Sequence, residues 1–173
     1  ELTDLTLSYT YDSDSKLLQE ITGFDGIEDL SYNYVYTYDS YMRPLKIKET
    51  TAQADFEKTL EYDSLGRIQQ VAHHTLHHAT ALTADQEILY VYDSNGIMGE
   101  LKDANTQASL WKITQENERG QATNIVLGNG MTRENTFDNF GFLQSIRDGT
   151  DGAVALELDY VFDVQKGNLT QRT

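Results

Sequence analysis

The stretch Leu60-Glu61-Tyr62-Asp63-Ser64-Leu65-Gly66-Arg67-Ile68 decides how the chain folds. Leu60 and Tyr62 stand two apart and share one face of a strand. Asp63 opens a β-turn, because its carboxylate can accept hydrogen bonds from the backbone amides just ahead. Gly66 follows three residues later, where a type I turn ending in a left-handed residue favours glycine. Ile68 restarts an apolar strand, and Arg67 is placed to lie as a cation over a neighbouring ring. The unit reads as strand, tight turn, strand.

The same unit recurs along the chain. Tyr9, Tyr11 and Asp12 form one copy, running through Ser15 to Leu17. Tyr36, Tyr38 and Asp39 form the next, running through Met42 to Leu45. Tyr90, Tyr92, Asp93 and Gly96 form another, as do Phe137, Asp138 and Gly141. Tyr160, Phe162, Asp163 and Gly167 form a last copy with one residue added inside the turn. A degenerate copy runs through Glu116-Asn117-Glu118-Arg119-Gly120-Gln121-Ala122. The interval is roughly two dozen residues, a spacing typical of tandem supersecondary arrays.

Between these turns lie connections of varying length. Gly23-Phe24-Asp25-Gly26 and Asp148-Gly149-Thr150-Asp151-Gly152 read as loops, and Gly128-Asn129-Gly130 is a hairpin signal. After the second loop, Val154, Leu156, Leu158, Tyr160 and Phe162 share one face and Glu157 and Asp159 the other. That alternation predicts a half-buried antiparallel strand. Tyr32, Tyr34, Tyr36 and Tyr38 form a second single-face row, read here as core. Thr83-Ala84-Asp85-Gln86 has the form of a capping box and predicts a short helical turn over 83–87. Residues 101–109 are polar and read as loop. The expectation is an all-β, curled antiparallel meander of about a dozen short strands, with the aspartate turns along one edge.

Composition limits the functions open to this fold. The chain has 173 residues, 39% hydrophobic, with 11 tyrosines and 1 proline. That length suits a single domain, 1–173, whose apolar supply is mostly aromatic. A formal charge of −15 argues against nucleic acid and anionic membrane surfaces as partners. The sequence has no cysteine and so no disulfide or zinc-thiolate site. It also has no apolar run long enough to span a bilayer as a helix. It opens on Glu1 without a leader and reads as an excised segment or a processed product.

Tyr62-Asp63-Ser64-Leu65-Gly66-Arg67-Ile68 resembles the YD repeat, also called the RHS repeat, in near-consensus form. Residues 111–146 add a second match. Their order is Trp111, then Arg119-Gly120-Gln121, Leu127-Gly128-Asn129-Gly130, Thr136-Phe137-Asp138 and Gly141-Phe142-Leu143, as in a stretch common to bacterial RHS proteins. Ser15 and Met42 stand where the family has its turn glycine, and Ile97 and Phe142 where it has the following arginine. The resemblance covers nearly the whole chain. It implies a fragment of a large secreted or cell-surface bacterial protein, whose repeats wind a β-sheet into a hollow shell. In toxins of the family the shell encloses a C-terminal effector; in teneurins a related array serves adhesion. The partners implied are further repeats and an enclosed domain of the same polypeptide. The self-cleaving core of the family has no counterpart in these residues, so no proteolysis is assigned to them and no enzyme activity is expected.

Other chemistry is weaker. All four histidines, His73, His74, His77 and His78, fall in one tract. On a helix they would stand at a zinc-compatible spacing of four; on a strand they would split between faces. The apolar run after Gly66 favours a strand passing into a loop. Asp12 with Asp14, or Asp148 with Asp151, falls short of a calcium loop, which needs further oxygen ligands. No cofactor motif is present, and no nucleophile elbow or phosphate loop. The alternative to a shell wall is a carbohydrate-binding module using exposed tyrosines and Trp111.

Overall fold

A computed structural model of the chain describes residues 6–24, 32–150 and 152–173. Asp25, Gly26 and Ser31, and Asp151 of the later loop, lie outside the described residues. Every regular element among the described residues is a strand, and the chain divides into two compact units, Glu1–Leu89 and Tyr90–Thr173.

The first unit holds β1 (Thr6–Tyr11), β2 (Leu18–Phe24), β3 (Tyr32–Tyr38), β4 (Pro44–Thr50), β5 (Ala54–Tyr62), β6 (Ile68–His77) and most of β7 (Thr83–Tyr92). Each strand pairs antiparallel with its sequence neighbours. The turns opened by Asp12, Asp39 and Asp63 therefore line one edge of the unit. The connections after β4 and β6 line the other.

Period-two alternation sorts the residues of this unit onto two unlike faces. Register puts Tyr9, Ile21, Tyr34, Tyr36, Ile47, Phe56, Leu60 and Val71 on one face. Lys46, Lys48, Asp55, Glu57, His74 and Asp85 fall on the other. The tyrosine row of β3 is half-buried rather than enclosed. Only Ala54, Leu60 and Val71 are buried among the described apolar residues of this unit, so it is a sheet with a mainly apolar face, interrupted by Glu49, Lys58, His73 and His77, and no sealed interior.

The second unit holds β8 (Met98–Asp103), β9 (Ser109–Glu116), β10 (Ala122–Leu127), β11 (Thr132–Phe137), β12 (Leu143–Thr150), β13 (Ala153–Asp163) and β14 (Asn168–Arg172). It is again a meander of neighbouring antiparallel pairs. Trp111 is half-buried in β9, opposite Leu101 on one side and Leu127 on the other. The expected alternation of β13 is present. Leu158, Tyr160 and Phe162 are half-buried, while Val154 and Leu156 on the same face are exposed.

Two local expectations fail. Residues 83–87 form the start of β7, because Thr83, Ala84, Asp85 and Gln86 pair in register with Leu76, Thr75, His74 and His73. The cross-strand ladder to β6 holds the backbone extended there, and the capping-box pattern has no helix to cap. Residues 101–109 are not a loop either. They end β8, form a tight turn and begin β9, with Leu101 and Lys102 paired to Trp111 and Ser109.

Candidate functional site: the repeated aspartate turn

The feature the chain builds again and again is the turn, and Asp63 shows its construction. The Asp63 carbonyl accepts from Gly66 N at 2.9 Å, and Asp63 N donates to Arg67 O at 2.9 Å. That pair of bonds defines a three-residue loop, a type I turn followed by a left-handed residue. Asp63 Oδ1 accepts from Leu65 N and Arg67 N, both at 2.9 Å. Its Oδ2 accepts from Arg67 Nε and Nη2, both at 2.7 Å. One carboxylate thus satisfies two loop amides and fixes the arginine of the outgoing strand.

Asp39, Asp93 and Asp138 repeat the amide bonds, and Asn117 does so with its amide oxygen. The residue three beyond each opener is left-handed, with φ between 64° and 92°. In four of these turns it is glycine. In the Asp39 turn it is Met42, at φ 64°, as the sequence alignment of copies implies. An L-residue with a Cβ is disfavoured in that conformation. Met42→Gly is therefore expected to stabilise the chain by up to about 1 kcal/mol, read as a raised melting temperature.

The Asp12 copy corrects the sequence reading. Ser15 does not take the glycine's place; Lys16 does, at φ 62°. The loop is one residue longer, closed by Asp12 N to Leu17 O at 2.8 Å, and the Ser15 hydroxyl donates to Asp12 Oδ1 at 2.8 Å. Asp163 opens a loop of the same length, with Gly167 left-handed. Sequence reasoning missed a further member of this class, Asp103. Its carboxylate accepts from Thr106 N and Oγ1, and Gln107 is left-handed. An aspartate followed three residues on by serine or threonine was the available signal.

Consecutive repeats are stitched together by side chains. Tyr38 Oη donates to Leu18 O and Tyr62 Oη to Pro44 O, each at 2.7 Å. Both acceptors lie one residue past the close of the preceding turn. Reaching the other way, the Arg43 guanidinium sits 4.0 Å over the Tyr62 ring while Arg43 Nη2 pairs with Asp39 at 2.6 Å. Phe142 stands where that arginine would be, and its ring stacks on Phe162 at 5.1 Å. The apolar ring replaces a cation–ring contact with a ring–ring one. In the degenerate copy, Gln121 Nε2 donates to Gly141 O at 2.9 Å and Arg119 Nη2 to Asn139 O at 2.5 Å.

Three solved structures share the fold of this meander. Over 99% of its length the chain superposes on the Photorhabdus luminescens Tc holotoxin pore carrying a TccC3 mutation, at a TM-score of 0.50 and 16% identity. It superposes on TcdB2-TccC3 at 0.50 and 14%, again over 99% of its length. A form of TcdB2-TccC3 without its hypervariable C-terminal region gives 0.52 and 14%, also over 99%. The likeness is one of fold. The chain spans only 10%, 11% and 10% of those chains in turn. Neither a protein-family model nor a curated protein matches the sequence. The Tc toxin fold, met over the whole chain, accords with the YD-repeat reading of the turns.

Within this Tc-toxin-like fold the histidine tract is a strand end and its turn. β6 sends His73 and His77 to one face and His74 to the other. His74 Nδ1 pairs with Asp85, its cross-strand neighbour. His78 Nε2 lies 3.2 Å from Asp55, whose carboxyl is held below the usual range, chiefly by Lys48. Among the described residues no cluster of three metal-ligating side chains forms. The Tyr34 hydroxyl is pushed up to about 12, chiefly by its hydrogen bond to the carboxylate of Glu49, its cross-strand neighbour.

The carboxyls of Asp12, Asp63 and Asp103 are held below the usual range by their own turns. Ser15 N lowers Asp12, Arg67 N lowers Asp63 and Thr106 N lowers Asp103, each as the main cause. The Arg133 side chain lowers Asp148. A carboxyl depressed in the folded state contributes stability above its unfolded value, about 4, and loses it as pH falls through the folded one. The carboxylate contribution should thus stay level from neutrality to about pH 5 and decline below about pH 4. Urea-unfolding midpoints measured across that range will show it.

Proposed function

We propose that this chain is one covalently continuous repeat array, 1–173, forming wall in a β-shell that encloses or displays another domain of a large secreted bacterial protein. The observation that carries this reading is the stitching of successive repeats within each unit through their turn residues. A catalytic aspartate is needed once, whereas these aspartates, with Asn117 in one copy, are spent on amides at every hairpin of one edge. The two unlike faces suit a wall between solvent and contents. The superposition on Tc toxin chains supports it as well, since this chain is about a tenth of their length. Partners are then other repeats and the enclosed domain. Negative-stain images of the full-length parent are expected to show a closed hollow particle; a solid globule or a flexible string would overturn the proposal.

A second reading, glycan binding, is carried by Tyr41, which projects from its turn 77% exposed. It predicts glycan-array binding that Tyr41→Ala abolishes while the fold persists. Trp111 contributes less to that reading, being half-buried between Leu101 and Leu127.

A further inference from the structure

The turn joining β6 to β7 has the backbone of the longer aspartate turns but no aspartate. His77 N donates to Leu82 O at 2.9 Å and Ala81 N to His77 O at 2.8 Å. The same two bonds close the turns of Asp12 and Asp103. In those, the opening carboxylate accepts from the amide and the hydroxyl of the serine or threonine three residues on. Here His77 Nδ1 takes that part, 3.3 Å from Thr80 N and 2.9 Å from Thr80 Oγ1. We propose that the β6–β7 hairpin is an acid-labile joint, in which the unprotonated His77 ring caps a turn that opens when the ring gains a proton.

A neutral imidazole offers one acceptor nitrogen, whereas imidazolium offers none. Protonation at Nδ1 turns a donor toward the Thr80 amide, itself a donor, and the cap is lost. An aspartate cap keeps its acceptors through the same change, because its carboxylate protonates only at far lower pH. The turn is also strained. Its left-handed residue is Ala81, at φ 53°, where the repeat-edge turn of Asp163 has Gly167. With the cap gone, the amides of 80–82 have less to hold them in that conformation.

The surroundings restrict the change to this hairpin. On the face of His77 the neighbouring strands present Ala54, Phe56 and Lys58 from β5, Glu49 from β4 and His73 from β6 itself. From β7, Ala84 and Gln86 share that face and carry no charge. On the opposite face, His74 pairs with Asp85, and His78 with Asp55, which Lys48 also holds at 3.0 Å. Beside these pairs, His78 N donates to Gln53 O at 2.9 Å. Acid therefore loosens the tip at residues 79–82, while the His78 contacts hold its base to β5.

Amide hydrogen exchange on the full chain, followed by NMR at pH 8 and pH 5 and expressed as protection factors, tests this. Thr80 and Ala81 are expected to lose at least tenfold protection on acidification, while Thr106 and Gln107, their counterparts in the Asp103 turn, keep theirs. In His77→Asp the loss should vanish. Ring 15N shifts at pH 8 should show His77 Nδ1 without a proton. The proposal is overturned if Thr80 and Thr106 lose protection in step, if neither changes, if His77→Asp behaves as the unsubstituted chain, or if Nδ1 carries the proton at pH 8.

Discussion

Gly149→Ala is expected to destabilise the chain by about 3 kcal/mol, the upper part of the range for overpacking. Gly149 lies in β12 at a slip of register against β13, opposite Val154. A Cβ there would stand 2.4 Å from the Ala153 carbonyl oxygen and 3.3 Å from its carbon. The obstruction is backbone, which cannot swing aside as a side-chain end can. Relief requires the hairpin to shift, and Asp148 next door anchors it to β11. The melting temperature should fall by about 10 °C for a chain of this size. Gly99→Ala is the control, since nothing lies within 4 Å of a Cβ at that position. Its change should stay within about 0.5 kcal/mol. Equal effects at the two sites would show that the β12–β13 hairpin yields freely.

The second large effect belongs to the ion pair beside that glycine. Arg133 Nε and Nη2 donate to Asp148 Oδ1 and Oδ2, each at 2.7 Å, across β11 and β12. Asp148 is only 7% exposed, and its strand neighbours on that face are Leu156 and Ile146. Arg133→Ala leaves the largely buried carboxylate without its counter-charge, and should cost about 3 kcal/mol in urea unfolding at pH 7. Replacing both partners by leucine should recover most of that loss, because the surrounding face is apolar and a buried pair is often matched by well-packed hydrophobes. If the double variant is as unstable as Arg133→Ala, the pair does more than neutralise itself, and the register of β11 on β12 depends on its bidentate geometry.

Much of the fold was legible because its signals are local. Asp63 and Gly66 announce their turn within a few residues, and Val154 to Phe162 announce a strand by alternation alone. The all-β meander and the placement of the aspartate turns follow from these. What escaped was decided across strands. Thr83–Gln86 has a helical start signal that pairing with β6 overrides. The turn at Asp103 lacks glycine, its left-handed residue being Gln107, so it did not resemble the other copies. His77 was weighed as a metal ligand, since its likeness to Asp12 emerges only when both turns are laid on the same backbone bonds. The stitching of Tyr38 to Leu18 and of Tyr62 to Pro44 depends on register between repeats, which no single copy encodes. Tyr62 entered as a core residue; its hydroxyl turns out to be as specific as its ring.

Strands that pair only with their sequence neighbours, around no sealed interior, make size a free variable within each unit. An in-frame duplication or loss of about two dozen codons would add or remove one strand pair and its turn, leaving the partners of the remaining strands unchanged apart from one new junction. The junction must supply a tyrosine hydroxyl for the carbonyl behind it and a ring or cation for the residue ahead. Phe142 on Phe162 in place of Arg43 on Tyr62 shows how loosely that second demand is set. Such a chain can change length in evolution by whole modules while its sequence drifts far, as long as the amide-holding residue at each turn survives.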